Sequence, residues 1–200
     1  MRAIKKIRLS LLVMVSLLLT ACFGSPSSVP EDRFYTLKVS AAEKVTRKYK
    51  RIAINKVYAY GIYNERALLY SSAELPLQIK RYHYHHWAMP PTQLIQHALS
   101  DYLSQSNIAQ DIVVQRIGSD KDLSIVVQLL AFERVLQSEK QSVRVELEFT
   151  VHQENGAVHV FNYTQNTTTK KNTLHSAAEA YGVALVVIFK SFLADLDRIG

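Results

Sequence analysis

The segment from residue 122 to residue 165 constrains the fold of this chain more than any other. Apolar side chains alternate strictly with polar ones over residues 143–151, and a similar alternation begins at Leu123 and continues to about Leu136. A two-residue period predicts strands with one face in a core and one face in water. Asn155-Gly156 then precedes a third extended run, residues 157–163, and this pair tolerates the positive φ angles of a tight hairpin turn. We therefore predict a three-stranded antiparallel meander.

Shorter patterns upstream of the meander predict five more strands. These runs are rich in β-branched and aromatic residues, and we expect Pro76 to break the chain between two of them. The predicted strands cover residues 33–39, 51–60, 67–71, 77–86 and 112–117.

A first amphipathic helix is predicted between the last two of these strands. Pro90-Pro91-Thr92 suits the first turn of a helix, and the apolar side chains from Leu94 to Leu103 form one stripe, which ends near residues 104–107. Such a helix can serve as the crossover to a parallel strand at residues 112–117.

A second, longer helix is predicted at the end of the chain. Ser176 and Glu179 have the spacing of a capping box, and an apolar stripe continues from there to about Arg198. The predicted fold class is therefore α+β. It consists of a mixed, largely antiparallel sheet with a C-terminal three-stranded meander, covered by two helices, in one domain over residues 33–200.

The first 21 residues predict export from the cytoplasm. A positive start is followed by an apolar run over residues 9–19 and by the small-residue close Leu19-Thr20-Ala21-Cys22, which are the three parts of a secretory signal peptide. The apolar run has about half of the ~20 residues that cross a bilayer, so we expect it to be cleaved and not to remain as a span.

Leu19-Thr20-Ala21-Cys22 also resembles the lipobox of bacterial lipoproteins, in which the signal is cut before the cysteine and the cysteine is acylated. Cys22 is then the lipidation site, and several acyl chains on one residue anchor a protein stably. The alternative is an ordinary cysteine near a cleavage site. Phe23 stands where many inner-membrane lipoproteins have aspartate, which favours the periplasmic face of the outer membrane. Residues 23–32 are rich in glycine, serine and proline and are predicted to form a flexible tether.

The charge argues against a nucleic-acid-binding protein, and the cysteine content argues against a disulfide-stabilised one. The net charge is +7, and four basic residues leave with the signal, which brings the mature chain near +3. This value removes most of the case for nucleic-acid binding. The single cysteine is assigned to lipid, so we expect stability to come from packing and not from disulfides.

The segment Tyr82-His83-Tyr84-His85-His86-Trp87 is the most unusual local cluster. Two imidazoles on one strand face, those of His83 and His85, can share a metal ion such as zinc, but the segment offers no Asp, Glu or Cys as a further ligand. Alternating Tyr and His also suits an exposed strand or an interaction surface. Tyr58, Tyr60, Tyr63 and Tyr70 suit either an interface or the edge of a core, and the sequence leaves both readings open.

No pattern in the chain predicts catalysis. There is no Gly-x-Ser-x-Gly elbow and no glycine-rich phosphate loop, and the only thiol is assigned to lipid. We therefore expect a protein that is not an enzyme and has no cofactor.

Four short motifs resemble one known family. They are Phe34-Tyr35-Thr36-Leu37 soon after Cys22, Arg51-Ile52-Ala53-Ile54 in the next strand, Trp87-Ala88-Met89-Pro90-Pro91 before the first helix, and a final helix rich in alanine and aromatic residues. Together with the order of the predicted elements, they make the chain similar to the auxiliary lipoproteins of ABC-type transport systems, the PqiC-like intermembrane transport lipoproteins. The resemblance covers essentially all of the mature chain.

The resemblance implies a non-enzymatic part in an envelope pathway that moves lipids. Its implied partners are an MCE-domain tunnel protein and inner-membrane transporter subunits, and an outer-membrane lipoprotein would dock the periplasmic end of that tunnel. Phospholipid binding and a homo-oligomer are left open, and nucleic acid is not expected. Two other hypotheses remain: a lipoprotein that assembles an outer-membrane complex, and a metal-binding envelope protein.

The candidate partner contacts are Trp87, Tyr82, Tyr84 and Pro90. For Trp87 and Pro90 the alternative roles are packing and helix initiation. Met89 stands where the family usually has an acidic residue, which implies a different partner or a weaker contact if that acid binds one.

Overall fold

The computed structural model describes residues 30–114, 121–138 and 140–200. The chain divides into two compact units, Met1–Glu31 and Asp32–Gly200, and the account below concerns the second unit. Cys22, the predicted signal and most of the predicted tether lie outside the described residues, so those predictions stay predictions.

Eight strands and two α-helices make up the described fold, in the order that the sequence predicts. A 3-10 helix, Gly61–Asn64, interrupts the chain between the second and third strands. The strands are β1 (Arg33–Tyr35), β2 (Tyr49–Ala59), β3 (Ala67–Ser72), β4 (Leu75–Trp87), β5 (Ala109–Val114), β6 (Leu123–Leu136), β7 (Ser142–Gln153) and β8 (Val158–Thr168), and the helices are α1 (Pro91–Ser106) and α2 (Leu174–Ile199). The predicted α+β class is confirmed.

The long strand β6 lies at the centre of the sheet. One edge of β6 pairs with β7 in an antiparallel ladder, and β7 pairs with β8 in the same way. The other edge pairs in parallel with β2 along its first half and with β3 near its end. Each of these two strands has an outer neighbour: β5 lies parallel to β2, and β4 lies antiparallel to β3, with β1 parallel to the end of β4. The predicted meander and the predicted parallel strand after α1 are confirmed.

The strict alternation in β7 translates directly into burial. Val143, Val145, Leu147, Phe149 and Val151 are all fully buried, whereas the residues between them lie on the other face of the sheet. Strands place successive side chains on opposite faces, so this one face meets α2, where Phe149 stacks on Phe192 at 4.0 Å between ring centroids. The core therefore lies between the sheet and the two helices, since buried residues of α1 and β2 belong to the same cluster.

The turn between β7 and β8 differs in detail from the expected one. Only Gly156 has a positive φ, +86°, whereas Asn155 accepts a hydrogen bond from the Ala157 N–H through Oδ1 at 2.9 Å. The Gly156 N–H donates to the Gln153 carbonyl at 3.0 Å. This pattern is typical of a longer hairpin loop that ends in a left-handed glycine, and it needs only one residue with positive φ.

The first helix begins at Pro91 and ends at Ser106, as predicted. Asn107 follows in the left-handed conformation with φ 65°, which ends the helix without a glycine. The second helix begins earlier than predicted: the Thr173 hydroxyl, and not that of Ser176, caps it by accepting from the Ser176 N–H at 3.2 Å. Ser176 is buried inside the first turn, so its predicted capping role is wrong.

The α2 helix meets the length and apolar composition of a membrane span. Its most apolar window has a mean hydropathy of 1.6, and 61% of that window is buried inside the fold. The predicted stripe on this helix packs on the sheet, with Tyr181, Leu185, Ile188 and Phe192 all buried. This degree of burial is typical of the core helix of a globular domain.

The connection between β1 and β2 lies along both helices. The Val45 N–H in this connection donates to the Ser106 carbonyl, at the end of α1, at 2.8 Å. Glu43 pairs with Lys190 of α2 at 3.0 Å. A Cβ on Gly182 would overlap the carbonyl oxygen of Lys38, so glycine permits the close approach of α2 to this connection.

Three strand predictions need correction. β1 ends at Tyr35 and not at residue 39, because the chain there leaves the sheet for the helices. Pro76 lies inside β4, next to its start, and the turn is formed by Ala73 and Glu74 instead. β5 begins at Ala109, and the predicted residues 115–117 lie outside the described part of the chain.

Candidate interaction surface

The β4 strand leaves an edge of the sheet open. β1 pairs only with His85, His86 and Trp87, at the end of β4. Among the described residues, no strand pairs with the outer edge of β4 from Leu75 to Tyr84. Unpaired backbone N–H and C=O groups on such an edge are a template for another strand, and the charged Lys80 and Arg81 on it oppose uncontrolled pairing.

One side of this edge carries a cluster of aromatic rings. Tyr35 and His85 share a hydrogen bond of 3.0 Å between the hydroxyl and Nδ1, and Tyr82 packs edge-on against His85. The ring centroids of Tyr70 and Tyr82 are 4.6 Å apart. The Tyr82 hydroxyl accepts a hydrogen bond from Arg134 at 3.0 Å. Burial is the main cause that lowers the pKa of His85, and the charges of neighbouring residues lower it further. Tyr82 is therefore held from both sides, and it is half-buried.

The other side of the edge is more exposed. The guanidinium group of Arg66 lies 5.5 Å from the centroid of the Phe34 ring, and the His86 ring lies 5.9 Å from it. His86 Nε2 lies 3.4 Å from Asp32. Phe34 is 58% exposed, and Tyr84, which lies two residues before His86 on β4 with its ring centroid 6.5 Å from that of His83, is 43% exposed. An aromatic ring beside an arginine is typical of the centre of a protein interface. We refer to Phe34, Arg66, Tyr84 and His86 as the aromatic edge.

Two of the predicted contacts, Trp87 and Pro90, lie in the core and at the start of α1. Trp87 is 1% exposed and packs between Phe132 and Tyr181, each at 5.3 Å between centroids. Its side chain is therefore not presented on this surface, and its role here is the packing alternative. The carbonyl of Pro90 accepts from the N–H groups of Gln93 and Leu94 at 2.9 and 3.1 Å, which matches the alternative of helix initiation.

His83 and His85 do not lie in a simple alternating strand. The pairing of β4 with β3 shifts between Arg81 and His86, so the two-residue alternation behind the shared-face prediction does not hold there. His83 is exposed, and His85 is directed at Tyr35. No group of three His, Cys, Asp or Glu side chains that could hold a metal ion forms within the described ranges.

The four tyrosines with two open interpretations separate into two pairs. Tyr58 and Tyr60, at the end of β2, are largely exposed. Tyr63 and Tyr70 are half-buried: the Tyr63 hydroxyl donates to Glu133, and Tyr70 packs on Tyr82. The first pair is therefore the more accessible to a partner.

Glu133 is a buried acid that the sequence analysis did not single out. It is 3% exposed, accepts from the Tyr63 hydroxyl at 2.8 Å and lies 3.9 Å from Arg144. Burial is the largest cause that raises the pKa of Glu133, although the Tyr63 hydrogen bond and the Arg144 charge oppose it. The sequence carried a signal, because an acid inside the apolar run of β6 must be paired or kept neutral.

A cleft lies between α1 and the connection from β1 to β2. Its volume is about 300 Å³, and Leu37, Met89, Leu94, His97 and Tyr102 are among its lining residues. Met89, which replaces the acidic residue usual in the family motif, therefore faces this cleft and also packs against the core.

Solved structures share this fold. The protein XCC0632 from Xanthomonas campestris, of the DUF330 family, is 14% identical and matches 80% of this chain and 92% of its own, with a TM-score of 0.69. The crystal structure of an uncharacterized protein is 15% identical and matches 84% of this chain and 98% of its own, with a TM-score of 0.65. At these identities the likeness concerns the fold. No curated protein sequence matches the chain.

The residues that the structure describes form an α+β domain with an open, aromatic strand edge. The family model for the ABC-type transport auxiliary lipoprotein component matches residues 35–187. The chain belongs to this family, as its motifs suggested. The family consists of auxiliary lipoproteins, which agrees with a place in the bacterial envelope.

Proposed function

We propose that this protein is a non-enzymatic component of an MCE-type intermembrane lipid transport system, anchored at the periplasmic face of the outer membrane through Cys22. It docks the periplasmic end of the transport tunnel. The observation that carries the proposal is the family match over residues 35–187, which coincides with most of the described domain. The predicted signal peptide and lipobox agree with this location.

The aromatic edge is the proposed docking surface. Phe34 and Tyr84 present aromatic rings to solvent, and Arg66 supplies a cation beside Phe34. Burial of exposed aromatic rings and an arginine commonly provides most of the free energy of an interface. The open edge of β4 adds backbone groups that can pair with a strand of the partner. Of the predicted contacts, Tyr84 belongs to this surface, and Tyr82 supports it from the other side.

The test is affinity purification of the lipidated protein from crosslinked envelopes, with mass spectrometry of the proteins recovered. We expect an MCE-domain protein together with an inner-membrane transporter subunit. Recovery of an outer-membrane assembly complex in their place would refute the proposal and support the assembly hypothesis.

A pair of variants then tests the surface. Phe34→Ala combined with Tyr84→Ala should reduce recovery of the partner at least about tenfold, since the loss of two interface aromatics commonly costs several kcal/mol. Val183→Ala combined with Val187→Ala is the matched control, because Val187 is also 43% exposed but lies on α2. Equal losses in both double variants would show that docking does not use the aromatic edge.

The anchor has its own test. We expect intact mass spectrometry of the mature protein to show acyl groups on Cys22, and Cys22→Ser to release the protein from the membrane fraction. A membrane-bound Cys22→Ser variant would contradict lipid anchoring.

A further inference from the structure

Three connections of the chain meet at one end of the sheet. They are the β3–β4 turn at Ala73 and Glu74, residues 137, 138, 140 and 141 between β6 and β7, and residues 169–173 between β8 and α2. The Ala73 N–H donates to the Leu136 carbonyl at 3.0 Å, and the Thr169 N–H donates to the Gln141 carbonyl at 2.8 Å. These bonds link the three connections into one surface, which we refer to as the hairpin pole.

Two leucines project from the hairpin pole into solvent. Leu75 is 57% exposed and Leu77 is 99% exposed. They lie where β4 bulges, because Tyr70 pairs with Lys80 and Ser72 pairs with Leu75, so that two steps along β3 match five along β4. The extra residues push Leu77 away from the sheet. A fully exposed leucine on a bulge contributes little to the stability of the fold.

Four lysines lie on or beside the three connections of the hairpin pole. Lys80 lies next to the bulge, and Lys140, Lys170 and Lys171 belong to the other two connections. All four are exposed. The acids of the three connections are Glu74 and Glu139, and Glu74 hydrogen-bonds with Ser72. Exposed leucines with lysines beside them are the combination that binds the interface of a phospholipid bilayer.

The direction of the chain points to the same end of the sheet. β1 lies parallel to β4, so the chain enters β1 from the side of the hairpin pole. Ten residues separate Cys22 from Arg33, and ten extended residues span at most about 33 Å. The ten residue steps of β4 from Leu75 to His85, beside Arg33, cover no more than about the same length. A lipid on Cys22 and the leucines of the pole can therefore reach one bilayer together.

We propose that the hairpin pole lies against the membrane that holds Cys22, with Leu75 and Leu77 inserted at the level of the phospholipid headgroups and the lysines against their phosphates. This inference rests on the lipid anchor of the proposed function and adds an orientation to it. The hairpin pole is a second membrane contact, beside the lipid on Cys22, and it fixes the orientation of the domain on the bilayer. The opposite end of the sheet, with the β7–β8 turn, then faces the periplasm.

The test uses the full lipidated chain in vesicles of phosphatidylethanolamine and phosphatidylglycerol. Because acylation occupies the thiol of Cys22, Leu77→Cys introduces a single reactive thiol, which is labelled with an environment-sensitive fluorophore. Val158→Cys is the matched control, since Val158 is an exposed apolar residue at the opposite end of the sheet. The vesicles contain phospholipids with a spin-label quencher high on the acyl chain.

We expect quenching of the label at position 77 to exceed that at position 158 at least about threefold, because only an inserted side chain meets the quencher. Equal quenching at the two positions in vesicles that carry the lipidated protein would overturn the inference while leaving the anchor intact. Failure of the anchor itself would appear separately, as a protein without acyl groups that does not float with the vesicles.

A second arm tests the lysines. Lys140→Gln, Lys170→Gln and Lys171→Gln together should lower quenching at position 77 in these vesicles, whereas vesicles of phosphatidylcholine alone should show weak quenching with or without the substitutions. The reason is that the attraction of lysines depends on anionic lipid. Unchanged quenching in the triple variant would overturn the assigned role of the lysines. If the label at position 77 is shielded only when a purified partner protein is added, the pole binds that protein and not the membrane.

Discussion

Strands β7 and β4 have nearly the same length, 12 and 13 residues, but opposite environments. β7 lies between two long antiparallel neighbours, and every second side chain is fully buried under α2. β4 has one neighbour along most of its length, its register shifts twice, and Trp87 is its only buried residue. The regular strand stabilises the fold, whereas the irregular strand supplies the aromatic edge and the hairpin pole.

This contrast has a physical cause in the register. A strand that alternates without a break must hold one register, because a slip by one residue would expose its whole apolar face. β4 has no such face to protect, so bulges in it cost little and can direct side chains toward a partner or a membrane. In the proposed function, stability and binding are therefore separated between the two strands.

The largest loss of stability is expected for Phe149→Ala in β7. The substitution removes a fully buried ring that stacks on Phe192, so we expect the free energy of unfolding to fall by about 3–5 kcal/mol. Urea denaturation followed by circular dichroism measures this loss.

Phe34→Ala is the matched control, since it deletes the same side chain from the exposed aromatic edge. We expect a loss of about 1 kcal/mol or less, mostly from the contact with Arg66. Similar losses for the two variants would show that the edge is part of the stabilising core.

A smaller effect is expected for Gly182→Ala in α2. The new methyl group would overlap the Lys38 carbonyl, and relief of the overlap must move the connection or the helix, at a cost of about 1–3 kcal/mol. Thermal unfolding should show a lower midpoint for this variant, and Val183→Ala, at the exposed position next to it, should stay close to the unmodified protein. An unchanged midpoint for Gly182→Ala would mean that the connection does not pack against α2 in solution.

Glu133→Gln should show a smaller effect, which depends on pH. The pKa of Glu133 is raised in the folded state, so as the pH rises through the usual range of a glutamate, the unfolded chain loses its proton first and the unmodified protein loses stability. The Gln variant has no carboxyl group that can titrate at position 133, and its amide oxygen still accepts from the Tyr63 hydroxyl. Its stability relative to the unmodified protein should therefore increase with pH from about 4.5 upward.

Urea denaturation at several pH values measures this difference. Glu148→Gln, which changes a half-buried acid of β7, is the control. A Glu133→Gln variant that becomes relatively less stable as the pH rises would contradict the raised pKa, and would show that the pair with Arg144 dominates.

The smallest effect is expected for Leu77→Ala in β4. Because the side chain is 99% exposed, the free energy of unfolding should change by less than about 0.5 kcal/mol. Leu147→Ala, in the buried face of β7, should cost about 2–5 kcal/mol by the same measurement. A large loss for Leu77→Ala would mean that Leu77 packs in the folded domain and is not available to a membrane.

The parts of the fold that the sequence predicted are those with a repeating pattern. The meander, the stripe of α2 and the start of α1 at a pair of prolines each follow from local spacing. The parts that it did not predict depend on neighbours distant in the chain. Thr173 replaces Ser176 as the cap because the helix begins at Leu174 and Ser176 already lies within its first turn, and β1 stops at Tyr35 because the chain turns there toward the helices.

The candidate site also combines features that are visible in the local sequence with contacts between distant segments. Tyr82, Tyr84 and the histidines were visible as an unusual segment, but Arg134, the partner of Tyr82, and Tyr35, the partner of His85, lie 52 and 50 residues away in the chain. Trp87 shows the consequence: in sequence it belongs to the aromatic segment, yet the bulge before it and the rings of Phe132 and Tyr181 place it in the core.

The sequence by itself determined the class of fold, the order of its elements and the membership of a lipoprotein family, because periodicity and short motifs are local properties of the chain. The tertiary structure alone decided which aromatic residues reach the surface, where β4 is left unpaired and that two leucines and four lysines share one end of the sheet. Strand register and the pairing of distant segments create these surfaces, and neither is encoded within any single stretch of residues.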